Sequence, residues 1–133
     1  MNRLTPEQLV LLNKKITGDE SGDLRVRFSE LEEIAQIPYE QNERFFYKYK
    51  GVKEKAAELG SLIAKREPFE KANLETAVLA LLTLLDINNY RLINYSQDIE
   101  TLCIYLKEPE TNNVRQWIKD HLPKEGVQHL FDT

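Results

Sequence analysis

Residues 66–85 read REPFEKANLETAVLALLTLL, a polar loop that leads directly into an apolar segment. Asn73 can cap a helix that continues to about Asp86. That helix has no polar face, because its sides carry Val78, Leu79, Leu81, Leu82, Leu84 and Leu85. Such a helix belongs at the centre of a fold, so we expect the rest of the chain to pack around it.

The N-terminal segment has the signals of a helix from Pro6 to about Thr17. Thr5 can cap this helix, and Gln8 can complete a capping box by bonding back to the backbone of Thr5. Gly18 can adopt the left-handed conformation that commonly closes a helix. The predicted inner face carries Leu9, Leu12 and Ile16.

Two further elements are predicted before residue 40. Residues 19–23 form a polar loop, and residues 24–28 alternate apolar and basic side chains as a short extended segment would. Ser29 and Glu32 repeat the capping-box pattern, which predicts a helix from Ser29 until Pro38 stops it. Its inner face carries Leu31, Ile34 and Ala35.

A long helical pattern from Gln41 to Lys65 precedes the loop. Its apolar stripe steps by three and four residues through Phe45, Tyr49, Val52, Ala56, Leu59 and Ile63. Gly51 costs about 1 kcal/mol relative to alanine inside a helix. The pattern therefore fits either one helix or two helices that meet near Gly51.

Beyond the central helix, residues 88–89 favour a turn, and residues 90–95 are either extended or a packed connection. Ser96 can cap a helix that Pro109 ends, with a buried stripe of Ile99, Leu102, Cys103 and Leu106. A last helix is predicted from Asn112 or Asn113 to Pro123, with an inner face of Val114, Trp117, Ile118 and His121. The prediction is one all-α domain over residues 1–133, with about six helices, at most a small β flap, and a tail at 124–133.

The composition fits a globular protein of the cytoplasm. Of the 133 residues, 41% are hydrophobic and 30% are charged, which argues against disorder and against a membrane protein. The start of the chain lacks the pattern of a secretory signal, and Cys103 has no second cysteine to pair with. A net charge of −4 with scattered basic residues argues against direct nucleic-acid binding.

The order of these parts, with a loop of the form x-Pro-Phe-x-x-Ala-Asn-x-x-Thr-Ala, resembles the Fic/Doc family, and most of all its small Doc (death-on-curing) branch. The similarity extends from about Leu4 to Leu122 and is anchored in Pro68, Phe69, Ala72, Asn73, Thr76 and Ala77. The resemblance implies a compact all-α fold. It also implies an ancestry among enzymes that transfer AMP or phosphate from ATP to a protein hydroxyl, with magnesium as cofactor.

The residues that carry the chemistry of the family are replaced in this chain. The resemblance places the catalytic histidine at Glu67, the acid that helps to hold the metal at Lys71, and the phosphate-binding arginine at Glu75. The asparagine of the motif is kept as Asn73. Glu75 would repel a phosphate and Lys71 would repel magnesium, so we expect neither ATP nor any other cofactor.

Two interpretations of the loop remain open at this point. Glu67 could act as a general base if burial raised its pKa, or it could be a solvated residue near Arg66 or Lys71. Structure alone accounts for the retained residues of the predicted cleft, Pro68, Phe69, Ala72, Asn73 and Thr76. Pro68 shapes the loop and Phe69 fills the core, while Asn73 caps the helix, Ala72 permits close approach and Thr76 packs.

Three other groups of residues are candidates for function. His121 and His129 are the only histidines, and their spacing favours a packed His121 and a solvated His129 over a metal site. Cys103 is predicted to be a buried, inert thiol. A further candidate is the aromatic cluster of Phe45, Phe46, Tyr47 and Tyr49, interleaved with Arg44, Lys48 and Lys50. It could stack a base or face a partner, but Phe45 and Tyr49 belong to the core stripe, which favours a structural role.

The sequence thus favours a pseudoenzyme related to toxin–antitoxin systems, which acts by binding a protein partner, with an antitoxin as one candidate. The alternative is an active toxin-type transferase that moves phosphate or AMP from ATP to a protein hydroxyl. A weaker possibility is nucleotide binding without transfer.

Overall fold

The computed structural model describes residues 2–19, 25–40 and 51–123, and this part of the chain is all-helical. Its six helices are α1 (Pro6–Thr17), α2 (Phe28–Gln36), α3 (Val52–Arg66), α4 (Asn73–Ile87), α5 (Ile99–Leu106) and α6 (Asn112–Asp120). Two 3-10 turns, Ile37–Tyr39 and Ser96–Asp98, precede α3 and α5. The β pairing found in the described residues is an isolated antiparallel bridge between Val26 and Phe69. The predicted all-α architecture is confirmed.

Helix α4 is largely buried, as its apolar composition predicts, and shares the centre of the bundle with α3, which also packs against α2, α5 and α6. Helix α4 packs against α1, α3 and α5, and its side chains Ala77, Ala80, Leu81, Leu84 and Leu85 are fully buried. The contact with α3 is close because α3 has a glycine there. A Cβ atom on Gly60 would lie 3.4 Å from the carbonyl oxygen of Ala77 and 3.0 Å from Cδ2 of Leu106.

Helix α1 begins and ends where the sequence predicts. The capping box between Thr5 and Gln8 is present, and Gly18 closes the helix in the left-handed conformation with φ of 69°. Its inner face, however, is partly wrong. Ile16 is 36% exposed, whereas Asn13 is fully buried one turn after Leu9, where its Nδ2 donates to the carbonyl of Lys71 in the loop and to the hydroxyl of Thr76 in α4.

The predicted starts of α2 and α5 are wrong. Helix α2 begins at Phe28 with Arg27 at the N-cap and no side-chain cap, so Ser29 lies inside the first turn. The N–H of Arg27, next to the bridge at Val26, donates to the carbonyl of Pro68, and α2 begins at the following residue. Ser96 lies in a 3-10 turn and does not cap α5, whose N-cap is Asp98.

The remaining predictions concern α3 and the C-terminal half. Gly51 is the N-cap of α3, so a helix does begin at that glycine. The predicted helical pattern over residues 41–50, which includes Phe45 and Tyr49, lies outside the described residues. Residues 88–89 form the predicted turn, and residues 90–95 are a connection without regular structure. The inner faces of α5 and α6 are confirmed by the burial of Leu102, Leu106, Val114, Trp117 and Ile118.

None of the helices in residues 2–19, 25–40 and 51–123 has the length and apolarity needed to cross a membrane.

Candidate functional site

The loop between α3 and α4 begins at Glu67, where the resemblance places a catalytic base. Glu67 ends α3 in the left-handed conformation, with φ of 48° and ψ of 62°, and its N–H donates to the carbonyl of Ile63 at 3.1 Å. Its side chain is exposed to solvent. The burial that a general-base role for Glu67 requires is therefore absent, and the position serves to end a helix.

The two arginines beside the loop are both engaged within the protein. Nη1 of Arg66 lies 3.2 Å from a carboxylate oxygen of Glu30 and 3.0 Å from one of Glu33. Nη2 of Arg27 donates to the carbonyl oxygens of Arg66 and Glu67 at the C-terminus of α3. A cation is favourable there, because a helix C-terminus carries partial negative charge. Neither guanidinium is placed to hold a phosphate.

The middle of the loop is held against the segment that precedes α2. The N–H of Arg27 donates to the carbonyl of Pro68 at 2.8 Å, and the N–H of Glu70 donates to the carbonyl of Arg25 at 3.1 Å. Between these bonds Phe69 enters the core and is only 4% exposed. The short extended segment predicted over residues 24–28 is thus reduced, in the described residues, to the bridge at Val26.

Asn73 does not cap α4 with its side chain, and this prediction is wrong. The N-cap is Ala72, in the left-handed conformation with φ of 61°, and Asn73 is the first residue of the helix. The Asn73 amide pairs with both backbone groups of Phe69: Oδ1 accepts from its N–H and Nδ2 donates to its carbonyl, each at 2.9 Å. Those backbone groups are partly buried, where an unpaired polar group is costly. The first N–H groups of α4, by contrast, can bond to water and do not require the side chain of Asn73.

The end of the loop is tied to α1 by a buried polar contact that sequence reasoning missed. Nδ2 of Asn13 donates to the carbonyl of Lys71 and to the hydroxyl of Thr76, both at 2.9 Å. That hydroxyl donates in turn to the carbonyl of Ala72 at 2.6 Å. Asn13 and Thr76 are both fully buried. The sequence signal that could have identified Asn13 as a buried residue is its position four residues after Leu9, on the same face of α1.

The loop therefore has two sets of side chains. Pro68, Phe69 and Thr76 are buried and Ala72 and Asn73 are half-buried, so all five residues of the predicted cleft are used in holding the loop. The exposed side chains are Glu67, Glu70, Lys71 and Glu75. They place three carboxylates and one ammonium group on the surface. This arrangement would repel an incoming phosphate.

A metal centre has no basis in the part of the chain that the structure describes, where His, Cys, Asp and Glu side chains form no group of three that could hold an ion. Cys103 is half-buried, and burial, followed by the charges of Glu75 and Glu100, raises the pKa of its thiol. A raised pKa fits an inert thiol. The other candidates, His129 and the aromatic run from Phe45, lie outside the described residues.

His121 packs against α6 as predicted, but its acidic partner was not foreseen. Its ring lies 4.2 Å from that of Trp117, and Nε2 is 2.7 Å from Oδ2 of Asp98. Nδ1 is 2.7 Å from the carbonyl of Trp117. Burial lowers the pKa of His121, but these two hydrogen bonds and the charges of Asp98 and Asp120 outweigh it, and the pKa is raised. Asp98 is far away in sequence, so spacing could not identify it.

Neither a protein-family model, nor a curated protein, nor a solved structure matches this chain. The relationship to the Fic/Doc family remains a prediction that rests on the motif in residues 66–77 and on the order of the elements around it.

Proposed function

We propose that the protein is a catalytically degenerate relative of the Doc branch and that it acts by binding a protein partner. The observation that carries this proposal is the division of roles between residues 67 and 76. The residues that the motif shares with the family hold the loop in place, and the exposed residues have charges unsuited to nucleotide transfer. The scaffold is retained, whereas the reactive groups are replaced.

The exposed replacements oppose each step that a transferase needs. A carboxylate at Glu75 repels phosphate, and an ammonium group at Lys71 repels the magnesium ion that would accompany ATP. Glu67 is exposed to solvent, so it lacks the burial by which enzymes adapt a glutamate for general-base catalysis. Arg66 and Arg27 are already paired with carboxylates and carbonyls. These observations support binding as the present role.

The chemistry of the partner follows from the same exposed residues. Glu67, Glu70 and Glu75 outnumber Lys71, so the loop presents net negative charge. A protein partner, such as an antitoxin, would meet this surface with lysine or arginine side chains. Such a contact would weaken with added salt, because exposed charges are screened.

A titration with ATP, with and without magnesium, tests the absence of nucleotide binding. We expect no change in the thermal unfolding midpoint of the natural chain. The decisive comparison is a restored variant that combines Glu67→His, Lys71→Asp and Glu75→Arg. If the scaffold is that of the family, this variant should bind ATP with magnesium, and the midpoint should rise by about 4 °C at ten times the dissociation constant.

A transfer assay with labelled ATP, magnesium and a cell extract tests the chemistry itself. We expect no labelled protein. Labelling that the natural chain performs, that Glu67→Gln abolishes and that Glu70→Gln leaves intact would overturn the proposal and favour an active transferase. Glu70 is the matched control because its side chain is also an exposed glutamate of the same loop.

Expression in a bacterial host separates the same two functions in cells. A degenerate protein should leave growth unchanged. Growth arrest that depends on Glu67 would support the transferase. Asn73 is less informative here, since its substitution would also loosen the loop.

A further inference from the structure

A second cleft lies between α5 and α6, at the 3-10 turn that precedes α5. Its volume is about 380 Å³, within the range of about 300 to 1,000 Å³ of small-ligand sites. Two aromatic side chains, Tyr105 and Trp117, line it together with polar groups from both helices. The resemblance to the Fic/Doc family does not use these residues.

The nitrogen donors of this cleft already donate hydrogen bonds within the protein. The indole N–H of Trp117 donates to the carbonyl of Asp98 at 3.1 Å. Both ring nitrogens of His121 lie 2.7 Å from acceptors, Oδ2 of Asp98 and the carbonyl of Trp117, so neither nitrogen is free for a ligand. The amide of Gln116 donates to Oδ1 of Asp120 at 2.8 Å. The amide of Asn113 likewise donates to Glu108 at 3.0 Å.

The oxygens of the same side chains are the groups left for a ligand. In the described part of the chain, Oδ1 of Asp98, Oδ2 of Asp120 and the amide oxygens of Asn113 and Gln116 have no hydrogen-bonding partner. The lining carries the two carboxylates of Asp98 and Asp120, and a protonated His121 would offset only one of them, so its net charge is negative in either state of the imidazole. A ligand for this cleft must therefore bring N–H donors and positive charge.

We propose that this cleft binds the guanidinium group of an arginine side chain from a protein partner. A guanidinium is planar, permanently charged and carries five N–H donors, which suits several oxygens in one cleft. Its flat face also stacks on an aromatic ring such as that of Tyr105, which is half-buried in the lining of the cleft. A lysine ammonium group has three donors and no flat face, so it satisfies the same lining less well.

Intrinsic fluorescence tests the proposal directly, because Trp117 is the only tryptophan of the chain. The probes are three blocked tripeptides, Gly-Arg-Gly and its counterparts with lysine and with citrulline, the neutral analogue of arginine. We expect a saturable change in fluorescence with the arginine peptide. Its affinity should exceed that of the citrulline peptide by about tenfold and that of the lysine peptide by about threefold.

Two substitutions assign the binding to the cleft. Asp120→Asn removes one charge but keeps an acceptor for Gln116, so it should weaken arginine binding about fivefold without altering stability. Tyr105→Leu should weaken the arginine peptide more than the lysine peptide, because only a guanidinium stacks. The matched control is Asp86→Asn, an exposed carboxylate of α4 outside this cleft.

Four results would overturn the proposal, and the first three concern the peptides and Asp120→Asn. These are the absence of a saturable response to the arginine peptide, equal affinity for the lysine or citrulline peptide, and unchanged binding in Asp120→Asn. A response that Asp86→Asn weakens as much as Asp120→Asn would also overturn it, since general charge attraction would then explain the binding.

Discussion

The substitution Asn73→Ala separates a structural role of the loop from a catalytic one. The side chain of Asn73 makes two hydrogen bonds of 2.9 Å, both with the backbone of Phe69. Phe69 is 4% exposed and also takes part in the bridge to Val26. Removing the amide therefore leaves one N–H and one carbonyl without partners at a point where the loop enters the core.

The size of the effect follows from these contacts. A typical hydrogen bond contributes about 1 kcal/mol net to stability, so the loss of two costs about 2 kcal/mol. Alanine is a better helix former than asparagine in the first turn of α4, which returns up to about 0.5 kcal/mol. We expect the free energy of unfolding to fall by about 1.5 kcal/mol and the unfolding midpoint by about 5 °C.

Urea denaturation followed by Trp117 fluorescence and by far-UV circular dichroism measures this loss. Hydrogen exchange should locate it: the amides of Arg27 and Glu70, which bond across the bridge, should exchange faster in the variant. Glu75→Gln, an exposed change in the same helical turn, is the control and should alter stability by less than about 0.5 kcal/mol. A loss in Asn73→Ala no larger than that of the control, with unchanged exchange at Arg27, would refute the reasoning.

Three further predictions concern the same loop and the His121 pair. Glu67→Gly should raise the free energy of unfolding by about 0.5 kcal/mol in urea, because glycine adopts φ of 48° without steric cost; a loss of stability would contradict it. Thr76→Val should cost about 2 kcal/mol, since it leaves the buried amide of Asn13 short of an acceptor, and a neutral result would show that this contact is dispensable. His121→Asn should remove a pH dependence of the free energy of unfolding. Folding raises the pKa of His121 above 6.5, so His121 stabilises the fold fully below pH 6.5. This contribution of about 1 kcal/mol is lost as the pH rises through the pKa of the folded state. Stability that falls equally in Asp98→Asn, His121→Asn and the natural chain across that range would contradict the assignment.

Local signals in the sequence identified elements whose ends depend on neighbouring residues alone. The capping box at Thr5 and the left-handed Gly18 both formed as predicted, because each involves contacts within one turn of the helix. The apolar pattern of α4 likewise predicted its burial from the sequence of the helix alone. A helix without a polar face has only one favourable environment.

Signals of the same kind failed where a distant contact decided the boundary. Ser29 had a capping-box pattern, yet the bond from Arg27 to Pro68 ends the extended segment and starts α2 earlier. Ser96 does not cap α5, because Trp117 of α6 and His121 just after it bond to Asp98 at the start of α5. In both cases a long-range hydrogen bond outweighed a local preference of about 1 kcal/mol.

The loop shows the same limit for function. The resemblance to the Fic/Doc family predicts replacements at Glu67, Lys71 and Glu75, but sequence reasoning assigned Asn73 to capping and did not foresee Asn13 or Arg27. Arg27 bonds to backbone carbonyls, and Asn13 bonds to a backbone carbonyl and to the hydroxyl of Thr76, 63 residues away, so no local sequence signal identifies these partners. Their positions could be obtained only from the folded chain.

The contacts of the loop also change what the shared motif can be taken to mean. Pro68, Phe69, Asn73 and Thr76 each have a structural partner in this protein, so their presence is explained without any nucleotide. A resemblance in these residues is thus weak support for shared chemistry, because each of them holds the fold. The exposed positions are the informative ones, because a change there costs little stability and can follow function alone. For this reason the restored variant alters only Glu67, Lys71 and Glu75. ATP binding by this variant would support the proposed ancestry, whereas the absence of ATP binding in the natural chain would support the proposed present function.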